Sequence, residues 1–89
     1  MTKKLLELTV GEQLNVGQWL RISQSDIDLF AQATNDHQWI HVDPKRCEKE
    51  SPFGTTIAHG YLTVTLMPNS LYESIEPDPV YKSLLNYGV

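Results

Sequence analysis

At 89 residues the chain has room for one domain, and a fold of that size buries only about 60–65% of its unfolded surface, so self-association or another partner is expected to stabilise it. Hydrophobic residues make up 40% and charged residues 20%, which excludes the polar, highly charged class of disordered chains. The formal charge of -4 includes no basic run longer than Lys3-Lys4 or Lys45-Arg46, which excludes the phosphate-neutralising patches of nucleic-acid binders.

The one cysteine, Cys47, has no internal disulfide partner, and its neighbours Arg46, Glu48 and Lys49 mark it as a surface thiol in a reducing compartment. The start, MTKKLLELTV, meets Glu7 before any apolar core of signal-peptide length, and no run is long enough to span a bilayer. A cytoplasmic location is expected, with no membrane partner.

In chain order, an apolar patch over 5–10 ends at Gly11-Glu12. Residues 18–22 then alternate Leu20 and Ile22 with Trp19 and Arg21, the two-residue rhythm of a half-buried strand. Ser23-Gln24-Ser25-Asp26 offers a hydroxyl cap and a carboxylate three residues later, and Ile27, Phe30, Ala31 and Thr34 follow at helical steps, predicting a helix over 24–33. Thr34-Asn35-Asp36 ends it in a turn. Asp43-Pro44 opens a short helix containing residues 45–49, and Ser51-Pro52-Phe53-Gly54 is loop chemistry. The segment 57–71, with Gly60 at its head, predicts a buried helix interrupted or kinked at Pro68. Residues 72–82 read as a loop, and 83–89 as the beginning of a strand.

Asp36 stands five positions before His41. Adding water across a conjugated double bond needs a base for water and an acid for the adjacent carbon, and a carboxylate and an imidazole can divide those jobs near neutral pH. Taken alone, that spacing is equally met by a turn aspartate and a half-exposed histidine. His59-Gly60 ahead of an apolar helix meets a second need: a thioester that gains or loses an alpha proton passes through an enolate-like state, which a backbone amide at a helix N-terminus stabilises. Glycine permits close approach there, although as a lone dipeptide it also reads as a simple helix start.

The full ordering, Phe30-Ala31-x-Ala33-Thr34-x-Asp36-x-x-x-x-His41-x-Asp43-Pro44 and then Ala58-His59-Gly60-Tyr61-Leu62, resembles the MaoC-like dehydratases. These include the (R)-specific enoyl-CoA hydratases and the nodulation protein N-like proteins, and the wording Trp39-Ile40-His41 and Leu85-Asn86-Tyr87-Gly88 resembles the second group more. The resemblance implies an α+β hot-dog fold, an antiparallel sheet wrapped around a central helix, here the one beginning near Gly60, assembled as a homodimer. It implies a hydratase or dehydratase interconverting 2-enoyl and (R)-3-hydroxyacyl thioesters of coenzyme A or an acyl carrier, with Asp36 and His41 catalytic and the Gly60 amide on the thioester oxygen. No metal or redox cofactor is implied.

The neighbours carry two readings each. Asn35 orients Asp36 or caps the backbone; Asp43 steadies His41 or caps the helix opened by Pro44; His59 lines the pocket or packs against backbone. His37 is expected to face solvent, and Trp39 and Tyr61 to be core or pocket wall. Asp36, His41, Asp43 and His59 are of ligand type, but Cys47 lies outside the cluster and no tight zinc-type pairing is present. Domains of the resembled family continue with several further strands, so the chain is expected to be the N-terminal part of one such domain. The alternatives on the same scaffold are a non-catalytic thioester-binding or partner subunit and a thioesterase.

Overall fold

The computed structural model describes residues 3–14, 17–80 and 83. Two compact units emerge, one formed by Trp19–Met67 and the other by Met1–Gln18 with Pro68–Val89.

The first unit is built on α1 (Gln24–Thr34), α2 (Trp39–Val42), α3 (Pro44–Glu50) and α4 (Gly60–Thr65), with α1 packed on α2 and α2 on α3. Helix α1 begins where the sequence predicts. The Ser23 hydroxyl accepts the Asp26 N–H at 3.1 Å while the Asp26 carboxylate accepts the Ser23 N–H at 3.0 Å, which satisfies two amides that the helix leaves free. Those bonds, from the Ser23 amide first and its side chain second, hold the Asp26 carboxyl below the ordinary carboxylate range. Ile27 and Ala31, one turn apart, are buried.

The helix ends because Asn35 turns left-handed, at φ 59° and ψ 29°, and the Asp36 N–H then reaches back to the Ala31 carbonyl at 3.2 Å. Asparagine is among the few residues with a side chain that enter this region readily. Asp43 closes α2 and caps α3, its carboxylate accepting the Arg46 N–H at 3.1 Å with Pro44 at the first helical position.

Cys47 corrects the expectation of a surface thiol: its side chain is fully buried, with Sγ 3.6 Å from the carbonyl oxygens of both Trp39 and Ile40. The charged neighbours lie on the outer face of α3, and the helical period turns Cys47 inward. Burial, with the nearby Asp43 charge, pushes its thiol up from the ordinary value. Outside the fold, the Arg46 guanidinium lies 4.2 Å from the Trp39 ring centroid.

The strand expected over 18–22 does not form. These residues have no ladder partner among the described residues, and Trp19 and Leu20 are exposed; alternation yields a strand only where a second strand satisfies its backbone. The helix expected after Gly60 is interrupted near Pro68 as predicted: α4 ends at Thr65, and α5 (Met67–Ser74) starts with Pro68 in its first turn, where a missing N–H costs no bond. Its burial is less than expected. Leu62 is the buried residue of α4, and Tyr61, expected in the core or a pocket wall, is exposed.

In the second unit β1 (Lys3–Lys4) pairs in parallel with β2 (Ile75–Glu76), Lys3 opposite Ile75 and Lys4 opposite Glu76. A 3-10 turn follows at Leu5–Glu7, and Lys3 pairs with Glu12 at 3.1 Å. The loop expected over 72–82 is corrected in its first half: Tyr72 to Ser74 continue α5, tied by Asn69 to Glu73 and Ser74 to Ser70, and Ile75–Glu76 is β2. The first breaker is Pro77, so nothing stops the helix at Tyr72. The strand expected over 83–89 lies outside the described residues except for Ser83. The described residues therefore show an α+β architecture whose sheet is two-stranded and parallel, and not the antiparallel sheet expected. Among them, no helix is long and apolar enough to cross a membrane.

Candidate active site

Three local stops bring the sequence candidates together within the first unit. The left-handed Asn35 puts Asp36 just beyond α1, the single turn of α2 presents His41, and an extended stretch after Gly54 returns the chain so that the Ile57 N–H bonds the Ile40 carbonyl at 3.1 Å. That return delivers His59 and Gly60 to the head of α4. One side-chain ligand atom from each of Asp36, His41 and His59 lies within 4.8 Å of the others.

His41 is held at both ends. Its Nδ1 lies 2.8 Å from the Ile57 carbonyl oxygen; a carbonyl only accepts, so Nδ1 carries the hydrogen and Nε2 of the neutral ring is left with its lone pair. Its backbone carbonyl accepts the Gln24 side-chain amide at 2.8 Å, and the Thr56 hydroxyl donates to the same Gln24 at 2.6 Å. Gln24 therefore ties the first turn of α1 to α2 and to the returning strand-like segment.

His59 is buried, 3% exposed, and its Nε2 donates to the Asp36 backbone carbonyl at 3.0 Å. Its ring stacks on His41, centroids 3.9 Å apart and planes inclined by 24°, and the Phe30 ring lies 4.9 Å away at 58°. The backbone-bonded reading of His59 holds, and the same ring packs face to face on His41. Asp36 and His41 are half-buried, and among the described residues the Asp36 carboxylate makes only a long 3.4 Å contact with the Gln38 N–H.

Helix α4 makes its first bond from the Thr63 N–H to the His59 carbonyl at 3.3 Å, so the amides of Gly60, Tyr61 and Leu62 precede the intrahelical ladder. A Cβ added at Gly60 would meet nothing within 4 Å, so packing does not require glycine there. Asn35 contributes a backbone geometry that sets Asp36, Asp43 caps α3, and His37 is exposed as expected.

The ligand-type cluster bears on a metal. A cation shared by two imidazoles lies in the plane of each ring, about 2.0–2.1 Å from nitrogen. Two stacked planes inclined by only 24° converge well beyond the ring edges, so Asp36, His41 and His59 would hold a metal only after one ring turned.

Sequence reasoning missed Gln24, Thr56 and the Ile57 carbonyl. Gln24 read as an ordinary helix-opening residue, and a backbone carbonyl leaves no mark in a sequence.

The family described as MaoC like domain matches residues 6–87. A 3-hydroxyacyl-thioester dehydratase Z of Mycobacterium tuberculosis is 45% identical over 84 residues, covering 94% of this chain and 54% of that protein. Nodulation protein N of Rhizobium leguminosarum bv. viciae is 45% identical over 80 residues, 90% of this chain and 50% of that protein. Nodulation protein N of Rhizobium meliloti is 46% identical over 79 residues, 89% and 49% respectively. The chain spans about half the length of the curated relatives it matches. On the match across 6–87 and these identities, the chain belongs to the MaoC-like domain family.

Proposed function

We propose that this protein is a hydratase/dehydratase interconverting 2-enoyl and (R)-3-hydroxyacyl thioesters of coenzyme A or an acyl carrier. The observation that supports it most is the convergence of Asp36, His41 and His59, whose functional atoms lie within 4.8 Å of one another. In the hydration direction the Asp36 carboxylate takes a proton from water as its oxygen adds to the beta carbon, and the imidazolium form of His41, protonated on Nε2 as well as Nδ1, delivers its Nε2 proton to the alpha carbon, after which the proton on Asp36 passes to Nε2 and restores both groups. The electron pair of the double bond passes through an enolate-like oxygen, which the Gly60 amide at the head of α4 stabilises. His59 and Asn35 complete the surroundings, Asn35 through the turn that aims Asp36. Asp36 and His41 supply the proton transfers, so the step uses no metal and no redox cofactor.

We infer that these residues form one portion of a hot-dog domain in which α4 is the central helix and the rest of the sheet is antiparallel, and that the working protein is a homodimer. The exposure of Trp19, Leu20, Leu29, Phe53 and Tyr61 supports this, since so much apolar surface is normally covered. Loss of enoyl-thioester absorbance on mixing substrate with the full-length protein tests the activity. Binding without turnover would replace it with a thioester-binding subunit, and release of free thiol with a thioesterase.

A further inference from the structure

His59 occupies the N-cap position of α4 yet makes no side-chain bond to that helix, a role that serine, threonine or aspartate fills better. It is also the buried polar residue among those described, and its Nδ1 is buried with no hydrogen-bond partner among them. A fold gains nothing from an orphaned buried nitrogen, and such groups concentrate where another requirement prevails. What the ring does instead is visible in its two contacts. Its Nε2–H holds the Asp36 carbonyl at 3.0 Å, and its face lies on His41 at 3.9 Å.

We propose that His59 is a positioning residue that acts through both members of the Asp36–His41 pair. The Ile57 carbonyl fixes rotation of the His41 ring in its own plane through Nδ1–H, but one hydrogen bond leaves the ring free to tilt about it. The stacked face of His59 removes that tilt, which would bend the Nδ1–H bond to Ile57 away from the carbonyl and weaken the one contact that selects the tautomer. The bond from Nε2–H to the Asp36 carbonyl ties the residue just after the left-handed Asn35 to the same ring, so carboxylate and imidazole share one support. Such supporting contacts, where measured around metal ligands, change activity or affinity by about 10–100-fold. The catalytic consequence rests on the hydration reading above; the effect on the His41 tautomer does not.

Nitrogen-15 NMR of the full-length protein, at a pH where the imidazoles are neutral, reads that tautomer directly. The wild type is expected to show His41 as the Nδ1–H form. His59→Ala and His59→Gln remove the stacking face, Gln keeping a donor for the Asp36 carbonyl, and His41 is expected to average between tautomers in both. His59→Phe restores a flat face without the donor and is expected to restore the single tautomer. Enoyl-thioester hydration by His59→Ala should lose about 10–100-fold in kcat with KM changed less than about threefold. A His41 tautomer unchanged in both the Ala and Gln variants, with amide dispersion as in the wild type, overturns the proposal. A tautomer shift in a protein that never hydrates the thioester leaves the positioning role standing and removes the assigned reaction instead.

Discussion

The Nδ1 of His41 lies 2.8 Å from the carbonyl oxygen of Ile57, sixteen residues further along the chain, and this bond decides which nitrogen of the imidazole faces the site. The extended return after Gly54 therefore orients the imidazole of the candidate site as well as shaping the fold.

Gln24 should prove to be a structural hinge of the site. Its amide nitrogen donates to the His41 carbonyl and to Asp28, and its oxygen accepts from Thr56. Gln24→Ala leaves the part-buried partners unmatched and is expected to cost about 1–3 kcal/mol in urea unfolding of the full-length protein. Thr56→Val, which removes one donor, should cost less. Equal stability of Gln24→Ala and wild type would contradict the bridging role.

Asn35 is a backbone device. Asn35→Gly should leave activity and stability close to wild type, because glycine enters the left-handed region freely, while Asn35→Ala should lose about 1–2 kcal/mol. If glycine instead abolishes turnover while the protein remains folded, the side chain itself acts on Asp36 or water.

The α1 cap carries an acid-side signature. Ser23→Ala is expected to destabilise by about 0.5–2 kcal/mol. Because the Asp26 carboxyl is lowered by folding, the unfolded state binds more protons between the two values, and stability rises with pH there. Its contribution is present above the ordinary carboxylate value of about 3.9 and is lost as pH falls through the folded one. Unfolding of Asp26→Asn followed from pH 5 downward (about one unit above that value) should show a shallower acid slope than wild type.

Cys47 should resist alkylation in the native protein and react on unfolding, since it is buried and its thiol is pushed up. A raised folded value means its contribution is intact below the ordinary thiol value of about 8.5 and declines as pH rises through the folded one. Mass spectrometry after iodoacetamide at neutral pH, with and without urea, checks this; rapid native labelling would contradict the burial.

Much of the first unit was legible because its boundaries are written in residues that bond their own backbone: Ser23 and Asp26 start α1, Asn35 stops it, and Asp43-Pro44 start α3. What depended on distant partners was not legible. Trp19 to Ile22 alternate correctly for a strand but find no second strand among the described residues, and Cys47 sits amid charges that occupy only the outer face of its helix. The motif residues Asp36, His41 and His59 stood out through their resemblance to a family. The Gln24 bridge and the Ile57 carbonyl, separated from His41 by seventeen and sixteen residues, had no local pattern to announce them.

The most direct test is the rate at which the full-length protein hydrates a 2-enoyl thioester, compared among wild type, Asp36→Asn and His41→Ala at matched thermal stability. The predicted result is turnover by wild type and a fall in kcat of about 10²–10⁴ in each variant. Undiminished turnover in either folded variant would contradict the assignment of the carboxylate and the imidazole as the proton-transfer pair.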